Sequence, residues 1–135
     1  MSTDLPTYFP PAARTEAIKY VRENGHIIVT EIFKKHGWTV KVDKFRGWIK
    51  EASRRDLELG HVVTVFFEDD FWSVSFRSGE IHETIFYWLK DENRFCTFTY
   101  RKMAAYEIPD YIETLIARDG GKGLRERLLT YKSSF

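Results

Sequence analysis

Four histidines, one cysteine and one acidic pair are the side chains in this sequence best suited to bond-making chemistry. His26, His36, His61 and His82 are scattered, and His82-Glu83 lacks the second histidine that a helical zinc site requires. The lone cysteine, Cys96, does not supply the thiolate pairs of a structural zinc site. Cys96 and His82 would form a nucleophile–base pair if the last two strands brought them together, but Cys96 sits where a small buried residue is expected. The run Asp119-Gly120-Gly121-Lys122-Gly123 has the glycines of a phosphate loop without Walker spacing, and it follows a helical stretch, so it reads as an inter-helix turn. Asp69-Asp70 lacks the third acid and the lysine of a nuclease pattern. No catalytic, cofactor-binding or metal-ligating residue is assigned, and a non-enzymatic binding protein is the expectation.

Binding chemistry is better represented, because charge is unevenly spread. Residues 14–56 hold eleven Lys/Arg against six Asp/Glu, while residues 57–100 hold three against eight. The formal net charge of +1 therefore conceals a basic first third and an acidic middle. Lys34, Lys35, Lys41, Lys44, Arg46, Lys50, Arg54 and Arg55 form the candidate DNA-binding set, suited to phosphate contacts that give salt-dependent affinity without base specificity. A solvated helix face, offset locally by Asp43, Glu51 and Asp56, accounts for the same residues. Glu68, Asp69, Asp70, Asp91 and Glu92 form the alternative set, an acidic rim on hairpin tips that would steer a basic protein partner. Charged tips also serve solubility and discourage edge pairing.

Three helices would have to carry the basic set. Thr15 can cap a run in which Ala17, Ile18 and Val21 recur at helical spacing before Asn24-Gly25 ends it. His26-Ile27-Ile28-Val29 is a short β-branched piece. Thr30 then offers an N-cap for a second helix that Gly37 terminates. Val42, Phe45, Ile49 and Ala52 fall on one stripe of a third, although Gly47 inside it costs about 1 kcal/mol relative to Ala.

The middle of the chain changes period. Residues 62–67, 71–76, 81–89 and 94–100 are strand-like, with separators short enough for hairpins, which makes a four-stranded antiparallel meander. Trp72, Val74 and Phe76 share one face, and Cys96, Phe98 and Tyr100 alternate with Phe95, Thr97 and Thr99. The first and third runs are apolar on both faces, as for strands covered on each side. Pro109 suits a first helical position, Gly120-Gly121 stops that helix, and residues 124–131 form a last short one.

In element order over residues 14–76 the chain resembles winged helix-turn-helix proteins. The resemblance implies a third helix that enters the major groove, flanked by a hairpin wing, and it extends equally to protein-docking winged helices. The wing would turn through Glu68-Asp69-Asp70, which repels phosphates. Base stacking on Phe71, Phe86, Trp88, Phe98 and Tyr100 is a further reading, set against core burial of the same rings.

The expected architecture is α+β: an N-terminal helical, winged-helix-like unit, a four-stranded antiparallel meander and two short C-terminal helices. Residues 1–13 read as an extension and 14–135 as one domain, a length that supports a single core. With one cysteine, no stretch of membrane-spanning length and an acidic, proline-rich start, the expected setting is cytoplasmic, without a membrane partner. The expected partner is DNA or a protein, and the 16% aromatic content also fits a homodimer interface.

Overall fold

The structure, a computed structural model, describes residues 13–56, 61–69, 71–98 and 100–117. It is of mixed α+β class, with α1 (Ala13–Tyr20), α2 (His26–Lys35), β1 (Thr39–Val42), β2 (Ile49–Asp56), β3 (His61–Glu68), β4 (Ser73–Ser78), β5 (Ile81–Leu89), β6 (Arg94–Thr97), β7 (Lys102–Met103) and α3 (Ile108–Ala117) in chain order. The seven strands form one sheet in the order of the chain, and each pair is antiparallel.

The four expected strands are thus the central β3 to β6 of a larger meander, flanked by β1 and β2 on one side and β7 on the other. The short helix expected at 124–131 and the stop at Gly120-Gly121 lie outside the described residues. Asn24-Gly25 does not break the first helix. A π-type turn at Val21–Gly25 joins α1 to α2, with helical dihedrals at Tyr20, Gly25 and His26. The β-branched run from His26 is therefore helical. Burial of Val29, fully inaccessible beneath the sheet, outweighs its weak helix propensity.

The expected third helix is absent, and with it the winged-helix unit. Residues 42–52 form the β1–β2 hairpin. The Asp43 carboxylate accepts hydrogen bonds from the backbone N–H of Phe45 and of Arg46, both at 2.9 Å, an Asx turn that competes with helix initiation. Gly47 then takes φ +74°, which an L side chain reaches only with strain. Of the four residues that suggested a stripe, only Ile49 and Ala52 are buried; Val42 is 41% and Phe45 98% exposed. Their spacing matches a helical period by coincidence.

One face of the sheet packs beneath the helices. Val63, Val65 and Phe67 of β3 point into it with Val74 and Phe76 of β4, Phe86 of β5 and Phe95 of β6. The alternation expected along β4 is present, and along β6 it holds for Phe95, Cys96 and Thr97; the expected run to Tyr100 stops there, because the N–H of Tyr100 turns back to the Thr97 carbonyl at 2.8 Å with φ +66°. The opposite face is not covered on β3 and β5, as Val62 and Tyr87 remain 46% and 40% exposed.

At the C-terminus of α2, Gly37 sits at φ +82° as expected of a terminator. The N–H of Trp38 donates to the Phe33 carbonyl at 2.9 Å and that of Gly37 to the Lys34 carbonyl at 3.0 Å. These are the two bonds of a Schellman end, and its apolar contact is the Phe33–Trp38 ring pair at 5.1 Å. The same Phe33 ring meets Phe67 edge-on at 5.8 Å, so one side chain ties the helix end to the sheet.

Phe33 and Phe45 are the same residue type at opposite extremes of burial. Phe33→Ala is expected to lower stability by about 3–5 kcal/mol. Phe45→Ala is expected to stay within about 0.5 kcal/mol of the parent. Equilibrium urea denaturation followed by circular dichroism measures both.

Candidate functional site

Because each strand runs opposite to its predecessor, the β1–β2, β3–β4 and β5–β6 turns lie at one end of the sheet and the remaining turns at the other. The first of these ends collects the candidate residues of both signs. Asp43, Lys44, Phe45 and Arg46 lie on the β1–β2 turn, Glu68 and Asp69 at the β3–β4 turn, and Asp91 and Glu92 at the β5–β6 turn. Asp70 lies outside the described residues.

Two of these turns meet over the start of α2. His26, Asp43, Arg46, Trp48, Lys50 and Asp69 line a polar cleft of about 330 Å³, floored by Ile49 and Phe67. The His26 imidazole stacks on the Trp48 indole at 4.7 Å and 8° between planes, and it meets the Phe71 ring edge-on at 4.6 Å. On the hairpin, the Arg46 guanidinium lies 4.6 Å from the Trp48 ring centroid. His26 is 3% exposed, and neither ring nitrogen has a hydrogen-bond partner. Burial, with the Arg46 guanidinium as a lesser cause, pushes its pKa down to about 4. At neutral pH it is therefore an uncharged aromatic plate that fixes the hairpin on the helix. Phe71 reaches it from a backbone at φ +77°, just after Asp69 at φ +48°, so the β3–β4 turn is held in a sparsely populated conformation at the same spot. The Asp43 carboxyl is lowered by the backbone hydrogen bonds from Arg46 and Phe45, so it is ionised in the cleft. The cleft presents Asp43 and Asp69 with Arg46 and Lys50, a dipolar surface whose lining holds no hydroxyl or thiol side chain.

The remaining basic candidates do not converge. Lys34 and Lys35 end α2, and Lys35 pairs with Glu113 of α3 at 2.7 Å. Arg54 donates from Nη1 to the His36 carbonyl at 3.1 Å, which serves the end of α2. Lys41 pairs with Glu51 across the β1–β2 ladder at 3.6 Å, and Arg55 stands on the uncovered sheet face opposite Val62. Only Lys44, Arg46 and Lys50 cluster, around one hairpin. Among the acidic candidates, Glu92 is engaged by Lys102 at 2.9 Å and by Arg94 at 3.6 Å, while Glu68, Asp69 and Asp91 remain exposed.

His26 and Trp48 were not among the candidates. The Asp43-to-Gly47 turn chemistry was the available signal, since it folds Trp48 back beside the helix. The conceivable Cys96–His82 pair is not assembled. Cys96 pairs with Tyr87 and His82 with Arg77, and Tyr87 lies five positions from His82, about 17 Å along β5. Among the described residues there is no cluster of three or more potential metal ligands, and no helix long and apolar enough to cross a membrane. Comparison with protein families, with curated proteins and with solved structures finds no match to this chain.

The His26 stack has a consequence for acid stability. Its pKa is lower in the folded chain than the ordinary 6.5, so its contribution is complete above about pH 6.5 and is lost as pH falls towards about 4. The thermal midpoint is expected to fall over that window. In His26→Phe, which keeps a ring without a proton site, the fall is expected to be shallower; midpoints measured from pH 7.5 to 4 test this.

Proposed function

We propose that the chain is a non-enzymatic protein-docking module whose working surface is the sheet end that carries the β1–β2, β3–β4 and β5–β6 turns. The observation that supports this most is Phe45. It is 98% exposed at the tip of a hairpin held by the Asp43 turn, Gly47 and the His26–Trp48 stack. An aromatic ring on a fixed backbone loses little entropy on burial and makes a central anchor for a partner pocket. Glu68, Asp69 and Asp91 stand at the same end, so the partner is a protein with an apolar socket bordered by basic residues. Arg46 and Lys44 flank the ring and set its orientation against acidic groups of that partner.

A nucleic-acid reading has narrower support. Without a recognition helix it rests on Lys44, Arg46 and Lys50 of one hairpin, with carboxylates of Asp43 and Asp69 in the same cleft. The docking reading accounts for the exposed ring and for both signs of charge.

Affinity capture with the parent chain, Phe45→Ala, Asp69→Lys and the distant control Arg55→Ala tests the proposal, with captured proteins identified by mass spectrometry. A partner retained by the parent and the control but weakened about thirtyfold by Phe45→Ala is the expected outcome. Retention by all four would overturn it. Fluorescence anisotropy on random duplex DNA at low salt, lost on combined Lys44, Arg46 and Lys50 replacement by Ala, would move the function to the nucleic-acid reading.

A further inference from the structure

A second cavity lies on the helix side of the sheet; of the turns just described it touches the β5–β6 turn, through Asn93. It holds about 240 Å³ between α1, the β5–β6 hairpin and the single 3-10 turn at Ala105–Glu107 that leads into α3. Glu16 and Tyr20 of α1, Trp88 of β5 and Tyr106 of the 3-10 turn line it, and Ala17 and Ala105 leave the space between them. Three aromatic rings and one carboxylate therefore share a cavity whose lining contains no Lys, Arg or His. The volume lies below that of drug-sized pockets, which limits the occupant to a small molecule or a side-chain terminus.

We propose that this cavity binds a small organic ammonium ion, of which choline is an example. Aromatic faces attract cations through their quadrupoles, and the attraction grows when water is removed, as in cages for methylated ammonium groups. Glu16 adds a full negative charge at the same wall. The phenols strengthen the case because both stay neutral donors: burial raises Tyr20, with Asp110 second, and burial raises Tyr106, with Glu107 second. Asp110 adds to the negative potential beside Tyr20, whereas Glu107 is paired with Arg101 at 2.8 Å. The inference is independent of the docking surface and holds whether or not that surface binds a protein.

The test is calorimetric titration of the full chain with choline, with tetramethylammonium and with 3,3-dimethylbutan-1-ol, the uncharged isostere of choline. Choline is expected to bind saturably, with the isostere weaker by about five- to thirtyfold, the range that cation–π attraction supports. Tetramethylammonium is expected to fall between them. Glu16→Gln and Tyr106→Ala, at positions on the cavity rim, are expected each to weaken choline at least fivefold with an unchanged thermal midpoint. Equal binding of choline and its isostere would reduce the cavity to an apolar hole and overturn the proposal. Absence of saturable choline binding at tens of millimolar would overturn it as well. If one variant unfolds, the isostere comparison on the parent chain still decides.

Discussion

Every strand of this sheet pairs with the strand before it, and that single regularity decides where all the chemistry lies. Short links leave no room for crossover, so chain direction alternates without exception through β7. The turns after β1, β3 and β5 are then obliged to share an end. Charges that are 20 or more residues apart in sequence become neighbours, and the basic and acidic segments interleave there. The charge poles visible in the sequence are consequently not two surfaces. They meet in the His26 cleft, where Arg46 and Lys50 face Asp43 and Asp69.

That arrangement depends on how the helices are fastened to the sheet. Phe33 contributes to the Schellman end of α2 and packs against Phe67, while Arg54 reaches from β2 to the His36 carbonyl. At the other end of the same helix, His26 holds Trp48 and Phe71. One helix thus touches the sheet through aromatic clusters at both its termini, and the hairpin tips inherit their positions from it. The β1–β2 turn is fixed by this packing as much as by its own hydrogen bonds.

Much of the sheet was legible because strand patterning is local. The bounds of β5 were read to the residue, β3 and β4 came within two residues at each end, and the Gly37 stop was read correctly. The hairpin at residues 42–52 was not, because Val42, Phe45, Ile49 and Ala52 happen to repeat at a helical period, and the turn that overrides it hangs on two hydrogen bonds to one side chain, Asp43. Likewise the β-branched run after His26 suggests extended chain, and only burial of Val29 makes it helical. The acidic tips were legible as an end-on group, since antiparallel hairpins imply it. The His26–Trp48 stack was not, because it joins residues 22 apart whose contact exists only once the hairpin has folded back. The apolar patterning that signals core does not distinguish a ring that lines a cavity, so Trp88 reads as core or as a base-stacking ring and not as a cavity wall.

The two borders of the sheet differ from its centre. β7 spans only Lys102–Met103, and β1 spans four residues with an irregular register between Lys41 and Val42. Short, kinked border strands offer few consecutive N–H and C=O groups to an incoming chain, and Lys41 and Lys102 place charge on both. An open seven-stranded sheet would otherwise be a template for stacking copies side by side into fibres. Among the described residues both borders are of the kind that discourages growth along the sheet, which sets them apart from the turns and the broad face left open to water.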